Sequence, residues 1–231
     1  MDFQTFLQQF VNALSLGSLY ALIAIGYTMV YGILRLINFA HGDIFMIGGY
    51  LAFYAVTTFF MPWWVAVAVA IGLTTIFGIG LERAAYRPLR DSPRISIMIS
   101  AIGASFLIEN LAIVLFDARP KAFPVPEFFA RNLVVEGVHI ASVSLIIPLV
   151  TAVALAVLLW IVYRTRVGMA MRAVSTDIDA ARLMAIDVNR IVSLTFAIGS
   201  ALAAIGGIMF ALKYPRLEPL MGIMPGLKCF I

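Results

Sequence analysis

Three polar side chains able to contact a ligand lie close together in residues 37–43, INFAHGD: Asn38, His41 and Asp43. Gly42 permits a sharp turn among them. Asp43 is placed to cap a helix that begins at Ile44, where the positive end of the helix dipole favours an acid. Capping does not explain Asn38 or His41, so we keep all three residues as a candidate polar cluster.

A second candidate pair, Glu109 and Asn110, lies inside the apolar run 96–116. An ionisable group inside a membrane is costly and usually functional. Two interpretations stay open at this point. In the first, Glu109 lines a polar path through the protein. In the second, it is a protonated carboxyl that is hydrogen-bonded within a helix bundle or at a subunit interface.

The segment 176–187 has the pattern of a short capped helix. Thr176 and Asp179 fit a T-x-x-D helix start, in which the hydroxyl accepts from backbone N–H groups near Asp179. Two or three helical turns are then expected before residues 187–189 end them. Such a helix either lies on a lipid interface or fits a groove in a soluble partner. Its candidate contact residues are Asp177, Asp179, Arg182, Leu183 and Ile186.

The common motifs of catalysis and nucleotide binding are missing from the sequence. It contains no G-x-x-x-x-G-K-[ST] phosphate loop, no G-x-S-x-G elbow and no H-E-x-x-H pair. A single cysteine, Cys229, leaves no internal disulfide and no cysteine-based metal site. We therefore predict no catalytic residue, no metal site and no cofactor, in a protein that is not an enzyme.

The composition indicates whether this chain folds in water or in a lipid bilayer. Hydrophobic residues make up 63% of it and charged residues 12%, against about 45–50% and about 25% in soluble domains. Its mean hydropathy is +1.02, and 231 residues cannot bury so much apolar surface in water. We expect a lipid bilayer to cover it. The net charge of +4 does not indicate a nucleic-acid partner, because the basic residues fall in loops.

Six apolar runs are long enough to cross a membrane as helices, which takes about 17–25 residues. They are residues 11–34, 44–60, 63–81, 96–116, 140–163 and 191–212. None shows the alternation of a barrel strand. The sequence therefore predicts an all-α polytopic transmembrane helix bundle that forms a single domain over residues 1–231.

The arginines predict the orientation of the bundle. Four arginines lie between residues 83 and 94, five lie between residues 164 and 190, and Arg35 falls on the same side. Basic loops stay in the cytoplasm, so the amino terminus is expected outside.

Several motifs resemble one transporter family. Residues 26–43, GYTMVYGILRLINFAHGD, with 45–50, FMIGGY, closely resemble the opening of the permease subunits of branched-chain amino acid ABC importers. Residues 99–110, ISAIGASFLIEN, resemble the fourth span of that family. The runs 168–173, GMAMRA, 183–186, LMAI, and 196–199, FAIG, follow in the family's order.

This resemblance implies a membrane permease without catalysis of its own, in the bacterial inner membrane. Its implied partners are a second permease subunit, two cytoplasmic ATPase subunits and a periplasmic substrate-binding protein. The loop 117–139 would then offer a docking surface outside, and the helix within 177–186 would couple the permease to the ATPase. The cluster of Asn38, His41, Asp43, Glu109 and Asn110 would line the translocation path.

The motifs do not fix the substrate, because urea and short-chain amide permeases share much of the pattern. An ATP-independent channel or carrier and an inactive remnant are the further alternatives. The sequence also departs from the family twice. Ala185 stands where the family usually has glycine, and the chain ends where the family continues through further spans, so we expect it to be truncated.

Overall fold

The computed structural model describes residues 3–34, 37–90, 92–130, 132–135 and 138–230, which leaves Arg35 outside the described part. The helices in these residues are α1 (Phe3–Leu34), α2 (His41–Thr57), α3 (Trp63–Leu81), α4 (Arg94–Phe116), α5 (Glu127–Ala130), α6 (Ser142–Arg164), α7 (Arg166–Thr176), α8 (Ile178–Leu183), α9 (Val188–Lys213) and α10 (Ile223–Phe230). A π-helical turn, Glu82–Tyr86, and a 3₁₀ turn, Arg87–Leu89, extend α3. The strands are short: β1 (Lys121–Ala122), β2 (Asn132–Val135), β3 (Val138–Ala141) and β4 (Arg216–Leu217).

Five helices, α1, α3, α4, α6 and α9, are long and apolar enough to cross a membrane. They correspond to five of the six predicted spans. The remaining span, α2, has 17 residues, at the lower limit of the roughly 17–25 needed. The all-α polytopic class is confirmed, and the chain is a multi-pass membrane protein.

The predicted boundaries of α1, α2 and the start of α9, which is Val188 rather than residue 191, were wrong by three residues or more. Helix α1 begins at Phe3 rather than at residue 11. Helix α2 covers His41–Thr57 rather than 44–60, since Phe60 has a left-handed backbone with φ 52° that a helix cannot continue through.

Helix α9 is the centre of the bundle and packs against α1, α2 and α3. Small residues make this possible. A Cβ added at Gly207 would lie 2.1 Å from the Phe45 carbonyl oxygen of α2, and one added at Gly78 of α3 would lie 1.8 Å from Ser200 Oγ. In lipid, where no hydrophobic force drives helices together, such close backbone approach supplies the packing energy.

Helices α4 and α6 present apolar side chains outward. The exposed large residues include Ile99, Leu107 and Val114 on α4, and Leu149 and Trp160 on α6. An apolar outer surface of this extent suits contact with lipid chains or with another membrane subunit.

Two contacts tie loops together at opposite ends of the bundle. At one end β1 pairs antiparallel with β4, so that Lys121 lies opposite Leu217. At the other end Arg90, in the first arginine-rich loop, donates to Asn189 Oδ1 over 2.8 Å. Asn189 lies at the end of the second arginine-rich stretch, residues 164–190. The two arginine-rich loops therefore share one face of the protein.

Gly207→Ala should destabilise the bundle, because its methyl group would overlap the Phe45 carbonyl oxygen. Overpacking of this kind costs about 1–3 kcal/mol, and we expect a lower midpoint of thermal unfolding in detergent. Gly72→Ala in α3 is the matched control, since nothing lies within 4 Å of its added Cβ. Equal midpoints for the two variants would contradict this packing.

Candidate functional site

Four of the five predicted cluster residues line one cavity of about 240 Å³. Asn38 comes from the segment just before α2, His41 and Asp43 come from the first turn of α2, and Glu109 comes from α4. The first three are almost completely buried. The fold thus brings together polar groups that are about 70 residues apart in the sequence.

The rest of the cavity wall is mainly apolar. Ile102 of α4 and Leu227 of α10 line it together with the polar groups. Helix α10 reaches this position because its start touches the start of α2, backbone to backbone. A Cβ added at Gly42 would lie 2.4 Å from the Gly222 carbonyl oxygen, so each position excludes a side chain.

The role predicted for Asp43 as a helix cap is wrong. Helix α2 begins at His41, whose N–H donates to the Asn38 carbonyl oxygen at 3.1 Å, and no side chain caps it. Asp43 lies in the first helical turn. Its carboxylate instead accepts a hydrogen bond of 2.6 Å from the Ser105 hydroxyl of α4.

One end of the Asn38 side-chain amide is hydrogen-bonded and the other end is not. Its Oδ1 accepts a hydrogen bond of 2.8 Å from the Tyr86 hydroxyl, in the π-helical turn after α3. Its Nδ2 is buried and has no hydrogen-bond partner among the described residues, and the same is true of His41 Nε2. Buried polar atoms without partners are rare and call for an explanation.

Glu109 and Asn110 are separated by the fold. Glu109 is half-buried and lines the cavity. Asn110 is exposed and does not line it, and its Nδ2 donates over 2.7 Å to the Phe106 carbonyl oxygen of its own helix. Neighbours in a helix point about 100° apart, so one of the pair faces inward and the other outward.

A second buried polar group lies beneath the arginine-rich face. Glu82 is fully buried and forms an ion pair with Arg90, at 2.9 Å between Oε1 and Nη2. Its other oxygen accepts from the Ser193 hydroxyl of α9 at 2.7 Å. Arg90 also binds Asn189, two residues after the Asp187 that caps α9. Both oxygens of the Glu82 carboxylate therefore have hydrogen-bond partners. These contacts join the end of α3 to the start of α9.

Helix α8 begins where the sequence predicts a helix, but with a different cap. Asp177 Oδ1 accepts from the N–H groups of Asp179 and Ala180, at 2.9 and 3.0 Å. Thr176 is the last residue of α7, and its hydroxyl donates back to the Arg172 carbonyl oxygen at 3.0 Å. The T-x-x-D prediction for Thr176 is thus wrong, because the preceding helix extends to it.

Two large apolar side chains are exposed at the end of α8 and in the turn that follows it. Leu183 is 88% exposed and Met184 is 77% exposed, while Ile186 is half-buried. Arg182 is exposed and lies 3.4 Å from Asp179. The helix ends at Leu183 rather than continuing to Ile186, and Ala185 has a left-handed backbone with φ 58°, a conformation that glycine adopts with less strain.

Comparison with known proteins identifies the family. Residues 9–231 match the family described as branched-chain amino acid transport system / permease component. The chain belongs to this family. The permease is 41% identical over 236 residues to the high-affinity branched-chain amino acid transport system permease protein BraD of Pseudomonas aeruginosa, covering 97% of this chain and 77% of that protein.

Enterobacterial relatives are similarly close. The permease is 39% identical over 242 residues to the high-affinity branched-chain amino acid transport system permease protein LivH of Escherichia coli K12, covering 99% of this chain and 78% of the relative. It has the same identity and coverage with LivH of Salmonella typhimurium. No solved structure matches the permease.

Three residues of these clusters were not predicted from the sequence. Ser105 lies four residues before Glu109, which places both on one face of α4, and this spacing is a usable signal. Glu82 is an acid at the end of a span with arginines after it, which indicates an ion pair. Tyr86 carries no such signal, because its contact with Asn38 joins positions 48 residues apart. Among the described residues of the permease, no three His, Cys, Asp or Glu side chains form a group able to hold a metal ion.

Tyr86→Phe should lower the free energy of unfolding of the permease by about 1–3 kcal/mol, since it leaves a buried amide oxygen of Asn38 without its donor. Thermal unfolding in detergent measures the change. Tyr163→Phe removes a hydroxyl from a side chain that is 66% exposed and should have little effect. A Tyr86→Phe midpoint equal to that control would show that the buried hydrogen bond contributes nothing.

Proposed function

We propose that this permease subunit moves branched-chain amino acids inward across the bacterial inner membrane, using ATP that partner subunits hydrolyse. The observation that carries the proposal is the convergence of Asn38, His41, Asp43 and Glu109 on one cavity within an apolar bundle. Polar and ionisable groups at such positions mark substrate pathways. The names of BraD and LivH support branched-chain amino acids as the substrate.

The proposed assembly contains a second permease subunit, two cytoplasmic ATPase subunits and a periplasmic substrate-binding protein. Residues 1–231 act in it as one permease domain. The face that carries both arginine-rich loops lies in the cytoplasm, because basic loops are retained there, and the amino terminus lies outside. The absence of a phosphate-loop motif from the sequence is consistent with ATP binding on a partner.

Helix α8 is the proposed contact with the ATPase subunits. A short helix with exposed Leu183 and Met184 suits a hydrophobic groove in a soluble partner. Asp177, Asp179 and Arg182 surround this apolar surface with charge.

A chain of side-chain contacts connects this end of the molecule to the cavity. Asn189, near the start of α9, binds Arg90, and Arg90 pairs with Glu82. Glu82 begins the π-helical turn that ends at Tyr86, whose hydroxyl binds Asn38 in the cavity wall. A displacement of α8 that moves the start of α9 would therefore reach the cavity through these hydrogen-bonded groups.

Uptake of labelled leucine by cells with and without the gene tests the proposed substrate. We expect deletion to reduce uptake at least tenfold, and the cloned gene to restore it. Excess isoleucine should compete with leucine, whereas urea and acetamide at the same concentration should not. Unchanged leucine uptake together with lost urea or acetamide uptake would assign the other substrate class.

Leu183→Glu should uncouple the permease from its ATPase, because a charge replaces an apolar side chain at the contact. We expect loss of co-purification with the ATPase and at least a tenfold fall in leucine uptake, at an unchanged level of permease in the membrane. Leu220→Glu, a control at a leucine that is 46% exposed near β4, should retain the ATPase. Normal uptake by Leu183→Glu would remove α8 from the mechanism.

A further inference from the structure

We infer that the cavity among α2, α4 and α10 is a binding site for a single zwitterionic amino acid, so that the permease itself selects its substrate. This inference rests on the proposed function, which takes the cavity to be part of the transport path. Its volume of about 240 Å³ is below the roughly 300–1,000 Å³ of sites for drug-sized ligands. The size suits one amino acid and excludes a peptide.

The acidic groups of the cavity provide partners for the ammonium group. Asp43 and Glu109 both line it, and among the described residues no lysine or arginine does. One oxygen of Asp43 accepts from Ser105, which fixes the carboxylate and leaves acceptor capacity on the other oxygen. Two carboxyl groups in a mainly apolar wall are costly to bury as charges unless they are paired, and an ammonium group would pair with them.

The same cluster contains a donor for the carboxylate group. Asn38 Nδ2 is a buried N–H donor with no partner among the described residues, and the orientation of its amide is set by the Tyr86 hydroxyl. Gly222 and Ile223, at the start of α10, also line the cavity. The Ile223 N–H already donates to the Leu220 carbonyl oxygen at 3.2 Å, so Asn38 is the proposed donor to the carboxylate.

The remaining wall fits a hydrocarbon side chain. Ile102 and Phe106 of α4 face the cavity together with Ile223 and Leu227 of α10. A leucine-like side chain would cover this surface and remove its apolar area from water, which favours binding. Urea and acetamide would leave most of it uncovered, so the same site discriminates against them.

The test measures labelled leucine binding to the purified complex of permease and ATPase subunits in nanodiscs, without the periplasmic protein. We expect saturable binding that unlabelled leucine and isoleucine displace. Leucinamide lacks the carboxylate and 4-methylpentanoate lacks the ammonium group, so each should compete at least tenfold more weakly than leucine. Equal competition by either compound would overturn the recognition of that group.

Substitutions test which residues of the cavity bind leucine. Asp43→Asn and Asn38→Asp should each weaken leucine binding at least tenfold, and Glu109→Gln should weaken it severalfold. Asn110→Ala is the matched control, because it changes the neighbour of Glu109 that does not line the cavity. Glu109 is only half-buried, so its variant retains the fold even where a variant at Asp43 does not. Unchanged binding by folded Glu109→Gln would contradict its role in the site.

The two proposals fail in different ways. Intact leucine uptake by cells, with no leucine binding to the complex alone, would overturn the cavity as a binding site and leave the transport function standing. Leucine uptake that does not depend on the gene would overturn the transport function itself.

Discussion

The close approach of α9 to α1, α2 and α3 is the contact on which the rest of this permease depends. Lipid solvates apolar side chains as well as a protein interior does, so only dense packing and polar contacts favour the folded bundle. Gly199 meets Gly26 of α1, and Gly207 meets Phe45 of α2, with almost no space between the backbones. These contacts set the position of the start of α2, and with it the cavity.

The polar groups of the bundle are of two kinds. Both carboxylate oxygens of Glu82 are hydrogen-bonded, one to Arg90 and the other to Ser193. A buried charge with a structural role requires such partners. The amide nitrogen of Asn38 is equally buried but lacks a partner among the described residues. Sites where local rules are broken tend to be functional, and this contrast separates the cavity from the cluster at the arginine-rich face.

The sequence was sufficient for the class of fold, because long apolar runs permit few alternatives to membrane helices. It also indicated Asn38 and His41, which helix capping does not explain, and Glu109, since an ionisable residue inside an apolar run is conspicuous. It could not show that α10 packs against Gly42, or that Asp43 binds Ser105 instead of capping a helix. Those facts depend on contacts between distant segments, which no local propensity encodes. The helix start at Thr176 was misplaced for a similar reason, because α7 extends further than its own sequence suggests.

The touching backbones of Gly42 and Gly222 have an evolutionary consequence. A wall made of main chain has no side chain for mutation to enlarge, shrink or recharge, so that part of the cavity stays constant as long as the fold persists. A change of substrate range must then arise at the side chains of the wall, such as Ile102 and Phe106 of α4 and Leu227 of α10, which can be exchanged one at a time. The fixed part of the cavity is thus built from main chain and the adaptable part from side chains.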